Sequence, residues 1–225
     1  MIKKSDYIII IPARKGSKRL KNKNLKILGG KPLIEHTIEY ALKNFNKEQI
    51  WVNSDSNKIL EISKKFKINT YKRNKELATD KSLTSEVIFD QVYNIYKKVN
   101  FEYVIILQPT SPFRPVNLIS NAMEKINSQK LTSLFSVSTL HKKFGKIIGS
   151  KFFPRNYELG QRSQELKELY FENGLLYIVS INVVLNKTLI NQDSFPLIDD
   201  SLESTIDIDS ETDFRKAELY LKLWK

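Results

Sequence analysis

Residues 7–24, YIIIIPARKGSKRLKNKN, constrain this chain more than any other stretch. Tyr7, Ile8, Ile9, Ile10 and Ile11 form an unbroken apolar run closed by Pro12, the pattern of a short strand buried on both faces. Directly after it come Arg14, Lys15, Lys18, Arg19, Lys21 and Lys23, set around Gly16 and Ser17. Cations and backbone donors are thereby gathered past a strand's carboxyl end, where open α/β sheets bind their ligands. Gly16 admits backbone conformations closed to other residues, and successive amides in such a turn form an anion-binding nest. The expected guest is a polyphosphate. A lysine-rich loop in a lysine-rich chain also reads as a merely solvated loop, but its place behind a buried strand favours the first reading. Neither GxxxxGK[ST] nor GxGxxG is present, so this is not one of the common phosphate loops.

Strand and helix patterns then alternate. Residues 31–42 put Leu33, Ile34, Ile38, Ala41 and Leu42 on one helical face with Pro32 in the first turn, and His36 reads as an ordinary helix residue. Residues 50–55 predict a strand ending in a polar turn, 57–66 an amphipathic helix, and 68–71 an edge strand. A polar stretch at 73–84 leads into a helix at 85–98, with Ser82, Thr84 or Ser85 as its cap. The next strong strand, 103–107, ends in Gln108-Pro109-Thr110-Ser111-Pro112-Phe113-Arg114-Pro115, where three prolines demand an irregular, fixed loop. Residues 117–128 predict a helix, 133–137 and 174–179 strands, and 214–223 a last helix. This rhythm predicts an α/β fold with a doubly wound, mostly parallel sheet.

From 141 to 172 the rhythm breaks. Gly145, Gly149, Pro154 and Gly160 interrupt a segment whose Phe152, Phe153, Tyr157, Leu159 and Leu169 carry more apolar surface than a free excursion should. Either a flexible excursion or an arm ordered against another subunit would account for it. The second is favoured, giving a core of 1–140 and 173–225, a dimerisation arm of 141–172, and a symmetric homodimer with exchanged arms.

A length of 225 residues and a 41% hydrophobic content bound the chain to one domain, or one domain with a substantial insertion. Its lack of cysteine excludes thiol nucleophiles, iron–sulfur clusters and cysteine zinc sites, and fits a reducing cytoplasm. The apolar run near the amino terminus is too short for a signal peptide or a membrane span, so no membrane association is expected. A net charge of +12 raises nucleic-acid binding as a class, but the lysines are spread along the chain. Small anionic substrates drawn in by a positive field are expected instead, and no nucleic acid.

A second constellation is acidic. In Asp207-x-Asp209 an extended backbone would put both carboxylates on one face, a pairing suited to Mg2+ held jointly with substrate phosphates. Alternatively, Asp209, Glu211 and Asp213 simply favour the dipole of the helix that follows. The basic loop tilts the balance towards a metal, since a gripped triphosphate calls for a divalent ion.

Five motifs in order, Arg14-x-x-Ser17-Lys18-x-x-x-x-Lys23-Asn24, Arg73-x-x-Glu76-Leu77-Ala78-x-Asp80, Leu107-Gln108-Pro109-Thr110-Ser111-Pro112-x-Arg114, Asn173-Gly174-x-x-Tyr177 and Ile206-Asp207-Ile208-Asp209-x-Glu211-x-Asp213, resemble those of the CMP-sialic acid synthetases (acylneuraminate cytidylyltransferases). The resemblance implies a Rossmann-like nucleotidyltransferase fold. It implies Arg14, Lys18 and Lys23 on the triphosphate, with Ala13, Ser17, Asn24 and Thr110 as further nucleotide contacts. Arg73, Ala78, Ser82 and Thr84 would form the cytosine and ribose pocket. Gln108, Lys146, Tyr177, Arg162 and Gln164 would face an acidic nine-carbon sugar, with Phe195 as a wall of its acyl-group pocket. Asp207 and Asp209 would hold Mg2+, or Mn2+ in its place, with Asp209 also a candidate base. The implied reaction is attack of the anomeric hydroxyl of a 3-deoxy-2-keto sugar acid on the α-phosphorus of CTP, with release of pyrophosphate.

One departure stands out. Family members commonly carry an arginine directly before a Gln-Asp-Leu-Pro motif, and here Ser163 precedes Gln164, with Arg162 one residue earlier. Among sugars, the resemblance favours legionaminic-acid-like and N-acetylneuraminic acids, then pseudaminic acid, then Kdo. A glycosyltransferase of similar architecture and a non-catalytic nucleotide-binding relative are the alternatives from other classes.

Overall fold

The computed structural model describes residues 3–223, and its first strand, β1 (Tyr7–Pro12), lies well inside a seven-stranded sheet. A short hairpin of β2 (Ile27–Leu28) and β3 (Lys31–Pro32) leads into α1 (Leu33–Asn44). Then come β4 (Ile50–Ser54), α2 (Asn57–Lys65), β5 (Asn69–Lys72), α3 (Thr84–Ile95), β6 (Tyr103–Ile106), α4 (Leu118–Gln129) and β7 (Ser133–Thr139). A second hairpin, β8 (Gly145–Ile148) and β9 (Lys151–Pro154), precedes β10 (Tyr170–Ser180), α5 (Ile181–Leu185), β11 (Phe195–Ile198) and α6 (Glu211–Leu223).

The strand order is β11-β7-β10-β6-β1-β4-β5. Strand β1 runs parallel to both neighbours, β4 and β6, and β5 continues parallel beyond β4 as an edge. The chain therefore winds outward from β1 to β5, then returns to β6 on the other side of β1. That reversal makes the carboxyl end of β1 a topological switch point, where a ligand crevice opens. Strand β10 runs antiparallel between β6 and β7, and β11 closes the far edge parallel to β7. The sheet is thus mixed, though parallel throughout the half that carries the basic loop.

Side-chain alternation explains the unbroken isoleucines. Ile9 and Ile11 enter a cluster with Ile34 and Ile38 of α1, whereas Ile8 and Ile10 enter a separate cluster with Ile88 and Val92 of α3 and Val184 of α5. Each fully buried side chain of this kind contributes roughly 1.5–3 kcal/mol. A third cluster gathers Leu20, Leu28, Leu33, Ile206, Ile208, Phe214 and Ala217. It fastens the basic loop, through Leu20, to the acidic segment, through Ile208. Gly29 and Gly30, at φ +59° and +90°, make the tight turn between β2 and β3 that this packing needs.

Several local expectations change. Pro32 is the residue before α1 and not part of its first turn. Helix α3 is capped by none of Ser82, Thr84 and Ser85: Leu83 stands at its start and donates its N–H to the Glu86 carboxylate at 3.0 Å. The Ser82 hydroxyl is occupied within its own loop by Thr79 and by the Glu76 carbonyl. Residues 207–209 form no strand. Their alternation survives, with Ile206 and Ile208 inward, because the third cluster takes those two side chains. Within 141–172 the β8–β9 hairpin turns at Gly149 (φ +61°), and β10 already pairs with β7 at Tyr170, three residues before the expected return. Among the described residues, no helix is long and apolar enough to cross a membrane.

Candidate active site

A cleft of about 490 Å³ opens at the carboxyl ends of β1, β5 and β6. One wall is the basic loop, with Arg14, Gly16, Ser17, Lys18, Arg19, Lys23 and Asn24. The opposite wall carries Arg73, Leu77, Thr79, Asp80, Ser82, Thr84 and Val87, and the third side Gln108, Pro109, Thr110 and Asp209. Four sequence motifs far apart in the chain thus face one space.

The cations of this cleft are held by internal carboxylates. Asp80 receives Arg14 Nη1 at 2.6 Å and Lys18 Nζ at 2.9 Å, so it bridges the two walls. Lys18, and after it Arg14, hold the Asp80 carboxyl below the ordinary aspartate range. Asp209 receives Arg19 at 2.6 Å and Lys23 at 2.9 Å. Lys23 is buried and also donates to the Ile208 carbonyl at 2.7 Å, which pins the basic loop to the acidic segment. A buried ammonium is tolerated only with such partners. The basic loop is further set by Lys15 N–H donating to Asp55 at 2.7 Å and by the Asn24 amide donating to the Arg14 carbonyl at 3.0 Å. Ala13 is wholly buried and can offer only backbone: its N–H donates to the Asn53 carbonyl.

Arg73 is different in kind. It is buried, and its Nε and Nη2 donate to the Asn53 side-chain oxygen at 2.6 Å and the Asn53 carbonyl at 3.2 Å. Burial lowers its guanidinium to about 10, with Arg14 adding in the same direction and Asp55 opposing. Because arginine only donates, Asn53 must turn its oxygen to Arg73 and its amide to Gln91, which accepts at 2.9 Å. Asn53 and Gln91 are fully buried and were missed in the sequence, where 38 residues separate them. They fix a cation whose remaining capacity faces the cleft.

The acidic residues divide their tasks. Asp213 accepts from Ser210 N–H at 3.0 Å and Ser210 hydroxyl at 2.7 Å, and these bonds lower its carboxyl. Glu211 takes Lys26 at 2.5 Å. The helix-terminal role thus falls to these two, while Asp209 lines the cleft. Asp207 is raised above the usual aspartate range, first by the protein mass around it and then by Asp209, against the Thr110 hydroxyl. Two carboxylates that repel each other beside a basic loop have the donor chemistry that suits a hard divalent cation, although of the pair only Asp209 lines the cleft. Among the described residues no group of three or more His, Cys, Asp and Glu forms a cage, so substrate oxygens would have to complete the coordination.

On the sugar side the expected residues separate. Gln108 lines the cleft, and Tyr177 is buried on β10 with its hydroxyl at 3.2 Å from Glu172. Burial, followed by Glu172, raises the Tyr177 phenol far above its ordinary value. Lys146 stands exposed on β8, and Arg162 and Gln164 are exposed around a short 3-10 turn. Phe195 begins β11 opposite Leu134, packed against the core. None of these four lines the cleft. Ala78 borders a neighbouring depression beside Lys18 and Lys21.

Residues 8–218 match the profile of the cytidylyltransferase family. CMP-N,N'-diacetyllegionaminic acid synthase of Legionella pneumophila is 34% identical over 224 residues, 96% of each chain. An N-acylneuraminate cytidylyltransferase of Streptococcus agalactiae is 32% identical over 92% of this chain, which spans 51% of that longer protein. The structure of a CMP:2-keto-3-deoxy-manno-octonic acid synthetase complexed with CTP superimposes with a TM-score of 0.69 at 17% identity, over 97% of this chain and 99% of that one, a likeness of fold. With that fold, a basic loop at its switch point and these relatives, the chain belongs to the cytidylyltransferase family and, within it, to the CMP-sialic acid synthetases.

Proposed function

We propose that this CTP-dependent nucleotidyltransferase transfers CMP from CTP to the anomeric hydroxyl of a sialic-acid-like sugar acid. The carrying observation is that Arg14, Lys18, Lys23, Arg73, Gln108 and Asp209 all face one cleft. The anomeric oxygen bonds to the α-phosphorus, the bond to the bridging oxygen breaks, the hydroxyl proton passes to water with Asp209 as the candidate base, and pyrophosphate leaves. No covalent enzyme intermediate is needed, so the residues have to align two oxygens and spread charge. Arg14, Lys18 and Lys23 meet the phosphates once these displace Asp80 and Asp209 from them, and Arg73 with Ser82 and Thr84 holds the nucleoside. Asp207 and Asp209 would hold Mg2+, which supplies phosphate neutralisation and activation of the attacking hydroxyl.

The likeness to the diacetyllegionaminic relative over 96% of this chain supports ranking a legionaminic-acid-like sugar first, ahead of N-acetylneuraminic acid. Pseudaminic acid follows, because the Campylobacter jejuni pseudaminic acid cytidylyltransferase is 26% identical. The exposed Phe144, Ile147, Phe152, Phe153 and Leu159 of the arm fit a homodimer in which Lys146, Arg162 and Gln164 reach the partner's sugar site. A cytoplasmic location accords with a cysteine-free chain that uses CTP. The test is pyrophosphate release with CTP and Mg2+ against a panel of legionaminic, N-acetylneuraminic, pseudaminic and Kdo sugars, with ATP, GTP and UTP as controls. CTP- and sugar-dependent release is expected. Release with no sugar of the panel would sink the reading, and a mono- or diphosphate product would point to a glycosyltransferase.

A further inference from the structure

Arg114 belongs to the Gln108 loop motif, yet it lies outside the cleft lining and no role above uses it. Its side chain is buried, and its bonds go to neutral oxygens: Nη2 to the Gln108 carbonyl at 2.7 Å, Nε to the Leu175 carbonyl at 2.8 Å and Nη1 to the Thr37 hydroxyl at 3.3 Å. Tyr40 covers it, with the ring centre 5.5 Å from the guanidinium carbon. A buried cation with only neutral partners is costly, and burial lowers it to about 10.

Register shows what that cost sustains. The antiparallel ladder between β6 and β10 ends with Ile106 opposite Tyr177. Two residues on in one strand and two back in the other, the next opposed residues would be Gln108 and Leu175. Their carbonyls instead accept from one guanidinium. Gly174 (φ +73°) supports the same split: a Cβ there would stand 3.3 Å from Gln108 Oε1 and 3.4 Å from Ser111 Oγ. The Ser111 hydroxyl is itself buried without a hydrogen-bond partner among the described residues.

We propose that Arg114 is a positioning residue for the acid sugar: its planar fork replaces the last rung of the β6–β10 ladder and holds the Gln108 side chain against Gly174 at the sugar end of the cleft. The assignment of that end to the sugar rests on the proposed function. Only a guanidinium reaches both carbonyls with fixed geometry; an ammonium keeps the charge but has no planar fork.

Arg114→Lys and Arg114→Met in the full chain test this. Three quantities are read: amide hydrogen exchange of ligand-free protein at residues 107–111 and 173–177, the Kd for CTP by calorimetry, and the KM for whichever acid sugar the wild-type protein uses. Arg114→Lys should speed exchange in both segments and raise the sugar KM about tenfold, with the Kd for CTP within twofold. If Arg114→Met fails to fold, Arg114→Lys still decides. Unchanged exchange would overturn the replaced rung. Faster exchange with an unmoved sugar KM, or with CTP binding weakened equally, would overturn the positioning role. Failure of the wild-type protein itself to use any acid sugar would instead overturn the functional reading, while the exchange data would still judge the fork.

Discussion

The two ends of the cleft are built differently. At the end proposed for the nucleotide, the basic loop, Arg73 and Asp209 are tied to the core of a single chain, through Leu20 and Ile208 in one apolar cluster and through the Asn53–Gln91 pair beneath Arg73. At the end proposed for the sugar, Gln108 is the one expected sugar contact on the cleft lining among the described residues, Tyr177 is buried close to where the β6–β10 ladder ends, and Lys146, Arg162 and Gln164 stand exposed in the 141–172 segment. Triphosphate and base are common to a whole enzyme class and suit a rigid scaffold, whereas the sugar is what differs between members and suits a separable segment. The contrast makes a claim: substitutions at one end should leave the other ligand's binding almost untouched.

The largest expected effect is at the junction of the two ends. Asp209→Ala should lower pyrophosphate release about a thousandfold, on the scale of losing a central electrostatic group. Far-ultraviolet circular dichroism should barely move, while the melting temperature should fall modestly, because buried Lys23 loses its carboxylate partner, at a cost of about 1–3 kcal/mol, and keeps only the Ile208 carbonyl. Surviving turnover would remove Asp209 from the chemistry. Next is Arg73→Met. Losing charge-assisted hydrogen bonds of about 1.5–3 kcal/mol should raise the Kd for CTP about 10- to 100-fold, with the sugar KM unchanged. A parallel rise in both, measured by calorimetry and steady-state kinetics, would break the contrast.

Legibility in the sequence follows the same division. Strand β1 was readable because an all-apolar run before a proline has few other meanings, and the Gln108 loop because its prolines forbid regular structure. Ile206 and Ile208 do turn inward in alternation, but the inference of a strand failed: residues 207–209 make one backbone–backbone bond, Ile208 N–H to the Thr110 carbonyl at 2.7 Å, and a ladder needs a partner strand. The capping of α3 was misread because hydroxyls near a helix start suggest a cap, while here Glu86 reaches back to Leu83. Asn53, Gln91 and the bonds of Arg114 were invisible, since their meaning lies in pairings across the sheet that no local pattern encodes. The Gly149-Ser150 turn of the β8–β9 hairpin was the legible feature passed over, masked by the mixed aromatics around it.

A smaller effect probes the arm. Phe152→Ser together with Phe153→Ser removes half-exposed aromatic surface from residues that do not line the cleft. Light scattering should show dimer giving way to monomer at micromolar protein, with the sugar KM raised about tenfold and the Kd for CTP within twofold. A wild-type protein that is already monomeric would discard the exchanged-arm arrangement, and a loss of CTP affinity would show that the nucleotide end depends on the arm after all.

The smallest effect concerns protons. In the ligand-free cleft Lys18 and Arg14 hold Asp80 below the ordinary aspartate range, so its carboxylate persists to lower pH than a free one. When a triphosphate takes those two cations, Asp80 loses the charges that favoured its ionised form, and its pKa should rise towards the ordinary value. Carboxyl-carbon NMR titration with and without CTP reads this directly. The linked consequence has a fixed sign: as pH falls through the ordinary aspartate range, ligand-bound protein takes up a proton at Asp80 that ligand-free protein does not, so this group makes CTP binding relatively more favourable towards acid pH. Asp80→Asn removes the internal competitor at every pH, and should tighten CTP binding by a few-fold and flatten that part of the pH dependence. If Asp80→Asn weakens CTP binding, the carboxylate is a latch kept over the bound nucleotide and not a stand-in for its phosphates, and the nucleotide end is then less preformed than the contrast with the arm requires.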